Sequence, residues 1–521
     1  MTTYSLGGTS SARQQISRER LRWYSAYITL MLVGVVLAGL AWRSAPDAFS
    51  IAIAALLVTA AAWVVKPIVG MHMTILFTLF GDSVTAAWFP FTKNLSSRES
   101  LLYVADQINF SPLELILVFA VVCWFVRHFA RHDHHIVRGP ALVPLLVFTG
   151  FVVLGFMYGV GRGGDIRVAV YESRGLMYLP IIYFLVSNTC HTARQYRAML
   201  WTAMWGVLGQ SVMSLIYYAQ LSAADRKALE DLGEHGASVA IDALIIFTLA
   251  TLLFAGSARR TKFLLVGMLL PTGYTYLLAQ RRAAIVGLGV GLIALFVVLF
   301  WRQRRTFWRV VPVFTLAAVG YVGAFWNSTG TAAFPAQAVK TVIAPGSISE
   351  EDQSSDIYRV IENADLNATI RDSPLTGLGF GQPFHQPITL PDISFFEFYR
   401  YIPHNSILWI WIKTGILGFA SLFFVFGRTL AVGARKIRQL SSAADVTVVV
   451  TATLFVMMYA IFAYVDIAWD ARGAVFLGFA IAVCANFPVP VAPVPEPSPT
   501  EAGDENQTSD GSMSERLLVA T

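Results

Sequence analysis

Residues 403–418 read PHNSILWIWIKTGILG, a polar start that passes directly into an apolar run. Lys413 is the only charged residue within that run. The pattern predicts a helix that enters a membrane, because a helix satisfies its own backbone hydrogen bonds in lipid. His404 and Asn405 stand at the polar end of this predicted helix. The stretch therefore indicates a helical membrane protein and places a titratable side chain where the membrane meets water.

The composition of the whole chain agrees with this class. The 521 residues are 56% hydrophobic and only 13% charged, whereas a soluble domain carries about 25% charged residues. Most of the surface must therefore lie in lipid, which excludes a soluble globular protein. The net charge of +6 suits cytoplasmic loops beside anionic lipid better than a nucleic-acid surface.

Apolar runs of about 20 residues recur along the chain, and each is long enough to cross the hydrocarbon core as a helix. They predict an all-α, polytopic membrane helix bundle with about 12–14 transmembrane helices. The predicted spans are 24–42, 47–65, 69–89, 111–130, 140–159, 174–188, 198–220, 237–256, 263–280, 283–301, 310–326, 404–427, 446–465 and 472–487.

The distribution of basic residues predicts the orientation of the chain. Lys and Arg are concentrated in alternate, mostly short, connecting segments, which places both termini in the cytoplasm. The predicted organisation is a cytoplasmic N-terminal segment (1–23), a first membrane part (24–326), a large extracytoplasmic loop with short helices (327–403), a second membrane part (404–487) and a proline-rich, disordered cytoplasmic tail (488–521).

Two adjacent arginines form the first candidate binding group. Arg281 and Arg282 occupy a tight turn between two predicted spans on the outer side. Arginine at a membrane boundary is costly unless it is paired or bound to an anion, and a fork of fixed donors suits a diphosphate. The alternative is that both side chains extend to lipid phosphates.

Two further arginines are candidates for the same anion. Arg174 begins a predicted span on the outer side, although it could instead pair with Glu172. Apolar residues at helical spacing in 356–370 predict a short amphipathic helix in the large loop, and Arg359 lies on it. The alternative for Arg359 is a solvated surface charge.

His404 is the candidate general base, because the unperturbed imidazole titrates near neutral pH. Asn405 is a supporting candidate that would cap the helix or orient the imidazole ring. Lys413 lies about two turns into the membrane helix and is predicted to have a supporting role or a structural ion pair, with Asp242 as one possible partner. We predict no metal site: the cluster at 132–135 (HDHH) is read as a solvated loop on the inner side.

Four segments together resemble the family of O-antigen ligases and Wzy-type polysaccharide polymerases. They are Gln280-Arg281-Arg282 at a helix start, Tyr358-Arg359 in the loop helix, the glycine-rich stretch 373–381 (SPLTGLGFG), and Pro403-His404-Asn405 with the glycines that follow. The resemblance is closest from about 263 to 425 and extends in organisation over most of the membrane region.

The resemblance implies a GT-C-like membrane glycosyltransferase in the bacterial inner membrane. Members transfer a glycan from a polyprenyl-diphosphate carrier to an acceptor hydroxyl on the outer face, with no metal or other cofactor. Carried over to this sequence, the diphosphate is assigned to Arg281 or Arg282, Arg174 and Arg359, and activation of the acceptor to His404. The implied partners are a polyprenyl-diphosphate-linked saccharide, a saccharide or glycolipid acceptor and membrane lipids, but no nucleic acid.

Two alternatives to a ligase stay open. A Wzy-like polymerase of O-antigen or exopolysaccharide repeat units shares the same predicted architecture and differs mainly in the acceptor. A lipid-linked glycan flippase belongs to another class and predicts a polar path through the bundle with inverted repeats. The sequence favours an enzyme, because its polar residues gather at one membrane face.

Overall fold

The computed structural model describes residues 48–81, 85, 91–98, 103–105, 109–130, 136–228, 232–255, 259–328, 330–344, 346, 350–391 and 398–490. Within these ranges the secondary structure is helical. The helices are α1 (Ala48–Val65), α2 (Pro67–Phe80), α3 (Pro112–Ala130), α4 (Leu142–Gly161), α5 (Ile166–Thr189), α6 (Ala193–Gln220), α7 (Ala223–Ala228), α8 (His235–Phe254), α9 (Arg259–Leu278), α10 (Arg282–Arg302), α11 (Arg304–Ala324), a 3-10 turn (Thr331–Ala333), α12 (Phe334–Ile343), α13 (Glu350–Asp372), α14 (Ser406–Gln439), α15 (Ala443–Val465) and α16 (Ala471–Asn486).

The predicted fold class is confirmed. Eight described helices are long and apolar enough to cross a membrane, and α1, α2 and α16 contain shorter apolar segments. A described helix overlaps every predicted span after 24–42. That first span, the N-terminal segment, the 132–135 cluster and the tail beyond residue 490 lie outside the described residues.

Two helices extend beyond the spans predicted for them. The helix that contains the sixth span begins at Ile166 rather than at Arg174, because the Asp165 side chain caps it by accepting hydrogen bonds from Arg167 N (2.8 Å) and Val168 N (3.2 Å). The helix after His404 has a kink at Gly415 (φ +70°) and continues to Gln439, beyond the predicted span end at 427. Its last turns carry basic residues, as expected for the C-terminal end of a helix.

The most buried helices occupy the centre of the bundle. α15 packs against α8, α10, α14 and α16, and α16 packs along α5. In contrast, α11 has no buried residue, and it contacts only its neighbours α10 and α12 extensively among the described elements. We expect the apolar side chains exposed on such peripheral helices to face lipid, because lipid tails are themselves apolar and these side chains need no further burial.

The predicted loop after α11 contains the predicted helix, which is longer than expected and forms α13. After it, a glycine-rich segment (377–381) folds back between α4, α5 and α14. Leu378 N donates to Ile412 O at 2.6 Å, and Phe380 N donates to Gly155 O at 3.2 Å. The three glycines of this segment all have positive φ, a conformation that favours glycine. The chain then reaches His404 at the start of α14.

Candidate active site

His404 lies between the loop helix α13 and the start of α14, beside a buried carboxylate. Its Nδ1 is 3.3 Å from Glu362 Oε1, and its backbone N–H donates to Glu362 Oε2 at 3.0 Å. The His404 side chain is 25% exposed, whereas that of Glu362 is only 2% exposed. One carboxylate therefore fixes both the backbone and the ring of His404, and leaves Nε2 as the nitrogen that is available for proton transfer.

Two neighbours complete the environment of the imidazole. The Tyr358 ring lies edge-on to His404, with ring centroids 5.5 Å apart. Burial, and then the adjacent Glu362, raise the pKa of Tyr358, so the phenol stays protonated at neutral pH. Asn405 caps α14 by accepting from Leu408 N at 3.0 Å, and its amide donates to Asn363 Oδ1 at 2.9 Å. Asn405 thus ties α14 to α13 rather than contacting the imidazole through its amide.

The two adjacent arginines have different surroundings. Arg282 forms a two-point ion pair with Asp356 on α13, at 3.1 Å and 3.4 Å, a geometry that holds the guanidinium plane. Arg281 is the N-cap residue of α10 and follows Gln280, whose φ is +48°. Arg282 therefore anchors the loop helix to the membrane bundle, while Arg281 interacts electrostatically with a different carboxylate, Asp466.

Asp466 is a buried acid at the end of α15 that interacts with three basic side chains. His235 Nδ1 lies 2.8 Å from Asp466 Oδ1, and the carboxyl group also interacts with Arg281 and Arg359. Burial by itself would raise the pKa of Asp466, but His235, Arg281 and Arg359 hold it well below its usual range. Asp466 is therefore ionised at neutral pH and interacts electrostatically with two of the arginines that the resemblance assigned to a diphosphate.

Asp466 begins a turn that joins this cluster to the rest of the site. Trp469 in the same turn has φ +73°, a strained value for a residue with a side chain. Its backbone N–H donates to the Tyr459 hydroxyl at 2.9 Å, and its indole N–H donates to Ser406 O at 3.4 Å. Gly175 packs so closely on the Trp469 backbone that a Cβ there would overlap it. The turn therefore lies between α5 and the start of α14.

Arg174 is placed in a second polar group on α5. It donates to Asn94 Oδ1, lies 3.8 Å from Glu114 Oε1 and stands over the Tyr171 ring at 4.4 Å. The alternative pairing of Arg174 with Glu172 is wrong, because the Glu172 carboxylate pairs with Lys413 instead. Through Gly175 and the Trp469 turn, Arg174 is connected to the Asp466 group.

Lys413 lies below the site and pairs with Glu172. The two charged groups are 2.7 Å apart, and both side chains are fully buried. Glu172 also accepts from Gly381 N at 2.6 Å, and Lys413 donates to Gln382 O at 2.6 Å. The suggested pairing with Asp242 is wrong, because Lys413 faces α5 and the glycine-rich segment, whereas Asp242 is buried in α8. The expectation of a structural ion pair is met with another partner.

The structure thus places Arg282 and His404 against α13, which bears Arg359, and it places Arg281 next to Arg282 at the start of α10. Arg174 lies in a separate polar group on α5 with Asn94 and Glu114.

Sequence reasoning missed Glu362 and Asp466. Glu362 could have been found from helical spacing, since it follows Tyr358 by four residues and shares its face. Asp466 could have been found because it is an acidic residue directly after an apolar span. Among the described residues, no group of three or more His, Cys, Asp or Glu side chains is arranged to hold a metal.

Comparison with known proteins gives one family match. Residues 263–423 match the family model described as O-antigen ligase. That region includes Arg281, Arg282, Arg359, His404 and Lys413, whereas Arg174 and Asp466 lie outside it. A search of curated proteins gives no match. The resemblance that the motifs predicted is confirmed: residues 263–423 of this multi-pass membrane protein are similar to the O-antigen ligase and Wzy family.

Proposed function

We propose that this protein is a glycosyltransferase that transfers a glycan from a polyprenyl-diphosphate carrier to an acceptor hydroxyl. The observation that carries the proposal is the pair of His404 and buried Glu362 on the face of a loop helix that also bears Arg359. A base and a set of cations in one place match the two needs of this reaction: proton removal from the acceptor and stabilisation of a leaving diphosphate.

In the proposed step, the acceptor oxygen forms a bond to the anomeric carbon of the donor sugar. The bond between that carbon and the diphosphate oxygen breaks, and its electron pair leaves with the polyprenyl diphosphate. The acceptor proton passes to Nε2 of His404, while Glu362 accepts a hydrogen bond from Nδ1–H and stabilises the imidazolium that forms. A single displacement of this kind inverts the configuration of the anomeric carbon.

Arginines supply the charge that the leaving group requires. Arg281 and Arg359 are proposed to bind the diphosphate, and both interact electrostatically with the Asp466 carboxylate. Arg174 is proposed to contact the same group from α5. Arg282 is assigned a different task, because its ion pair with Asp356 keeps α13 on the bundle. In this scheme the arginines take the role that a metal ion has in other transferases, so the reaction is proposed to need no metal.

The supporting residues act through geometry. Asn405 starts α14 at the residue after His404 and ties it to Asn363. Lys413 and Glu172 hold the glycine-rich segment between α4, α5 and α14. The proposed location is the bacterial inner membrane, with both termini in the cytoplasm and the site on the outer face. The acceptor decides between ligase and polymerase: a glycolipid core for the first, a second lipid-linked saccharide for the second.

The test is transfer by purified protein in detergent, with a polyprenyl-diphosphate oligosaccharide, candidate acceptors and EDTA. We expect His404→Ala and Arg281→Ala to abolish transfer, and Glu362→Gln to lower kcat by about 10²-fold, within the range for general-base catalysis. The matched control is His385→Ala, since His385 is a second loop histidine paired with a carboxylate, Asp372, at 2.9 Å, and we expect it to keep full activity.

The product distinguishes the alternatives. Inversion is read from the NMR coupling of the new anomeric proton, and product length separates single transfer from polymerisation. If His404→Ala transfers glycan as fast as the wild type while folded, the site assignment is wrong. If no acceptor yields product but the labelled lipid moves between leaflets in proteoliposomes, the protein is a flippase and not a glycosyltransferase.

A further inference from the structure

A polar cavity lies beside the N-terminal part of α5, and the proposed function assigns no role to the residues that line it. Its volume is about 260 Å³. The lining residues are mainly amide, hydroxyl and aromatic side chains with one cation: Asn94, Ser96, Asn109, Arg167, Tyr171 and Phe398. Pockets for drug-sized ligands usually measure about 300–1,000 Å³, so this cavity suits one sugar ring rather than a longer glycan.

The walls of the cavity offer the groups that a sugar ring requires. Carboxamides and hydroxyls both donate and accept hydrogen bonds, as sugar hydroxyls do. Ser96 Oγ donates to Asn109 Oδ1 at 3.1 Å, which orients the Asn109 amide. Phe398 stacks on Tyr171 with ring centroids 4.4 Å apart and an interplanar angle of 20°. One wall is thus aromatic, and the others carry neutral polar groups together with the Arg167 cation.

The cavity adjoins a proposed diphosphate ligand. Arg174 donates to Asn94 and stands over the Tyr171 ring at 4.4 Å, and both of these residues line the cavity. A diphosphate on Arg174 would therefore direct the sugar bonded to it toward these walls.

We infer that this cavity is a sugar subsite that holds the monosaccharide bonded directly to the diphosphate of the donor. The inference rests on the proposed function and deepens it, because it identifies where the donor is recognised as a glycan and not only as a diphosphate. A site built to bond sugar hydroxyls rejects analogues that lack them, so this cavity would set the specificity for the first sugar.

The experiment compares Asn109→Leu and the milder Ser96→Ala with the wild type. In the transfer assay we expect the donor KM to rise about tenfold in Asn109→Leu, the change that corresponds to loss of about 1.4 kcal/mol. The acceptor KM and kcat at saturating donor should stay within about threefold, an allowance of under 1 kcal/mol. The matched control is Asn367→Leu, an exposed asparagine on α13 whose amide donates to Asn363 O, and it should leave the donor KM unchanged.

A binding measurement separates this inference from the proposed function. The probe is the free oligosaccharide released from the donor lipid by mild acid, observed by saturation-transfer difference NMR on protein in nanodiscs. We expect its first sugar to contact the wild type and to lose that contact in Asn109→Leu. If wild type transfers no glycan yet shows this contact and its loss, the subsite stands and the proposed function falls. The inference is overturned if the variants change only the acceptor KM, or if wild type and both variants bind the oligosaccharide equally. If Asn109→Leu does not fold, the same comparison is made with Ser96→Ala.

Discussion

The buried ion pair of Lys413 and Glu172 allows a quantitative prediction about the stability of the membrane bundle. The charged atoms are 2.7 Å apart, and neither side chain is exposed. At an effective dielectric constant of about 20, unit charges at that distance attract by roughly 6 kcal/mol. Removal of one partner from a buried pair costs about 3–5 kcal/mol, because the other charge is left without compensation. We therefore expect Lys413→Met to lose about 3–5 kcal/mol of unfolding free energy.

Two comparisons isolate the ion pair in the unfolding experiment. The double variant Glu172→Gln with Lys413→Met should return to within about 1 kcal/mol of the wild type, since no charge is left buried and the substituted carboxamide keeps an acceptor for Gly381 N–H. The matched control is Arg197→Met, which breaks a more exposed pair with Asp445 (3.5 Å, Arg197 side chain 41% exposed) and should cost no more than about 1 kcal/mol.

The assay is equilibrium unfolding in mixed micelles with increasing SDS, followed by tryptophan fluorescence. The reasoning is refuted if Lys413→Met is no less stable than Arg197→Met. It is also refuted if the double variant is as unstable as the single one, because the loss would then come from packing of the lysine stem rather than from the unpaired charge.

The site and its supports allow three more predictions. The pKa of Asp466 is lowered in the folded state, so its carboxylate should stabilise the protein above the ordinary aspartate pKa, and this stabilisation should be lost as pH falls below about 4. Thermal melts of Asp466→Asn should lack this acid-dependent loss. Gly379 has φ +85°, and a Cβ there would overlap α4, whereas Gly163 has φ +86° and faces open space. We expect Gly163→Ala to lower the free energy of unfolding by about 1 kcal/mol and Gly379→Ala to lower it several-fold more. Arg282→Ala and Asp356→Asn should each speed proteolysis of the loop helix, and the double variant should be no faster than either single variant, since both remove one ion pair.

Several elements of the fold and site could be read from local sequence. The spans from residue 47 onward were predicted because an apolar run of about 20 residues is a local property. His404, Asn405 and the helix after them were predicted in the same way, since the polar-to-apolar change lies within a few residues. The start of α5 was missed because the first turns of this helix contain charged residues, Arg167 among them, which lower the hydropathy of that segment.

The partners of the charged side chains could not be read in this way. Glu172 and Lys413 lie on two helices that are far apart in the chain, α5 and α14. Asp466 and His235 likewise come from the ends of two different helices. The sequence suggested Asp242 on α8 as a partner for Lys413, and only the tertiary structure showed that Lys413 on α14 lies 2.7 Å from Glu172 on α5 instead.

The sequence by itself determined that this is a helical membrane protein with a large polar loop, a histidine at the N-terminal end of a helix and arginines near the membrane boundary. These properties depend on hydropathy and charge within short windows. Only the tertiary structure decided that Glu362 pairs with His404, that Asp466 pairs with His235, and that Arg282 pairs with Asp356 on α13. Ion pairs and hydrogen bonds act over a few ångströms, so their partners are set by how the helices pack and not by their order along the chain.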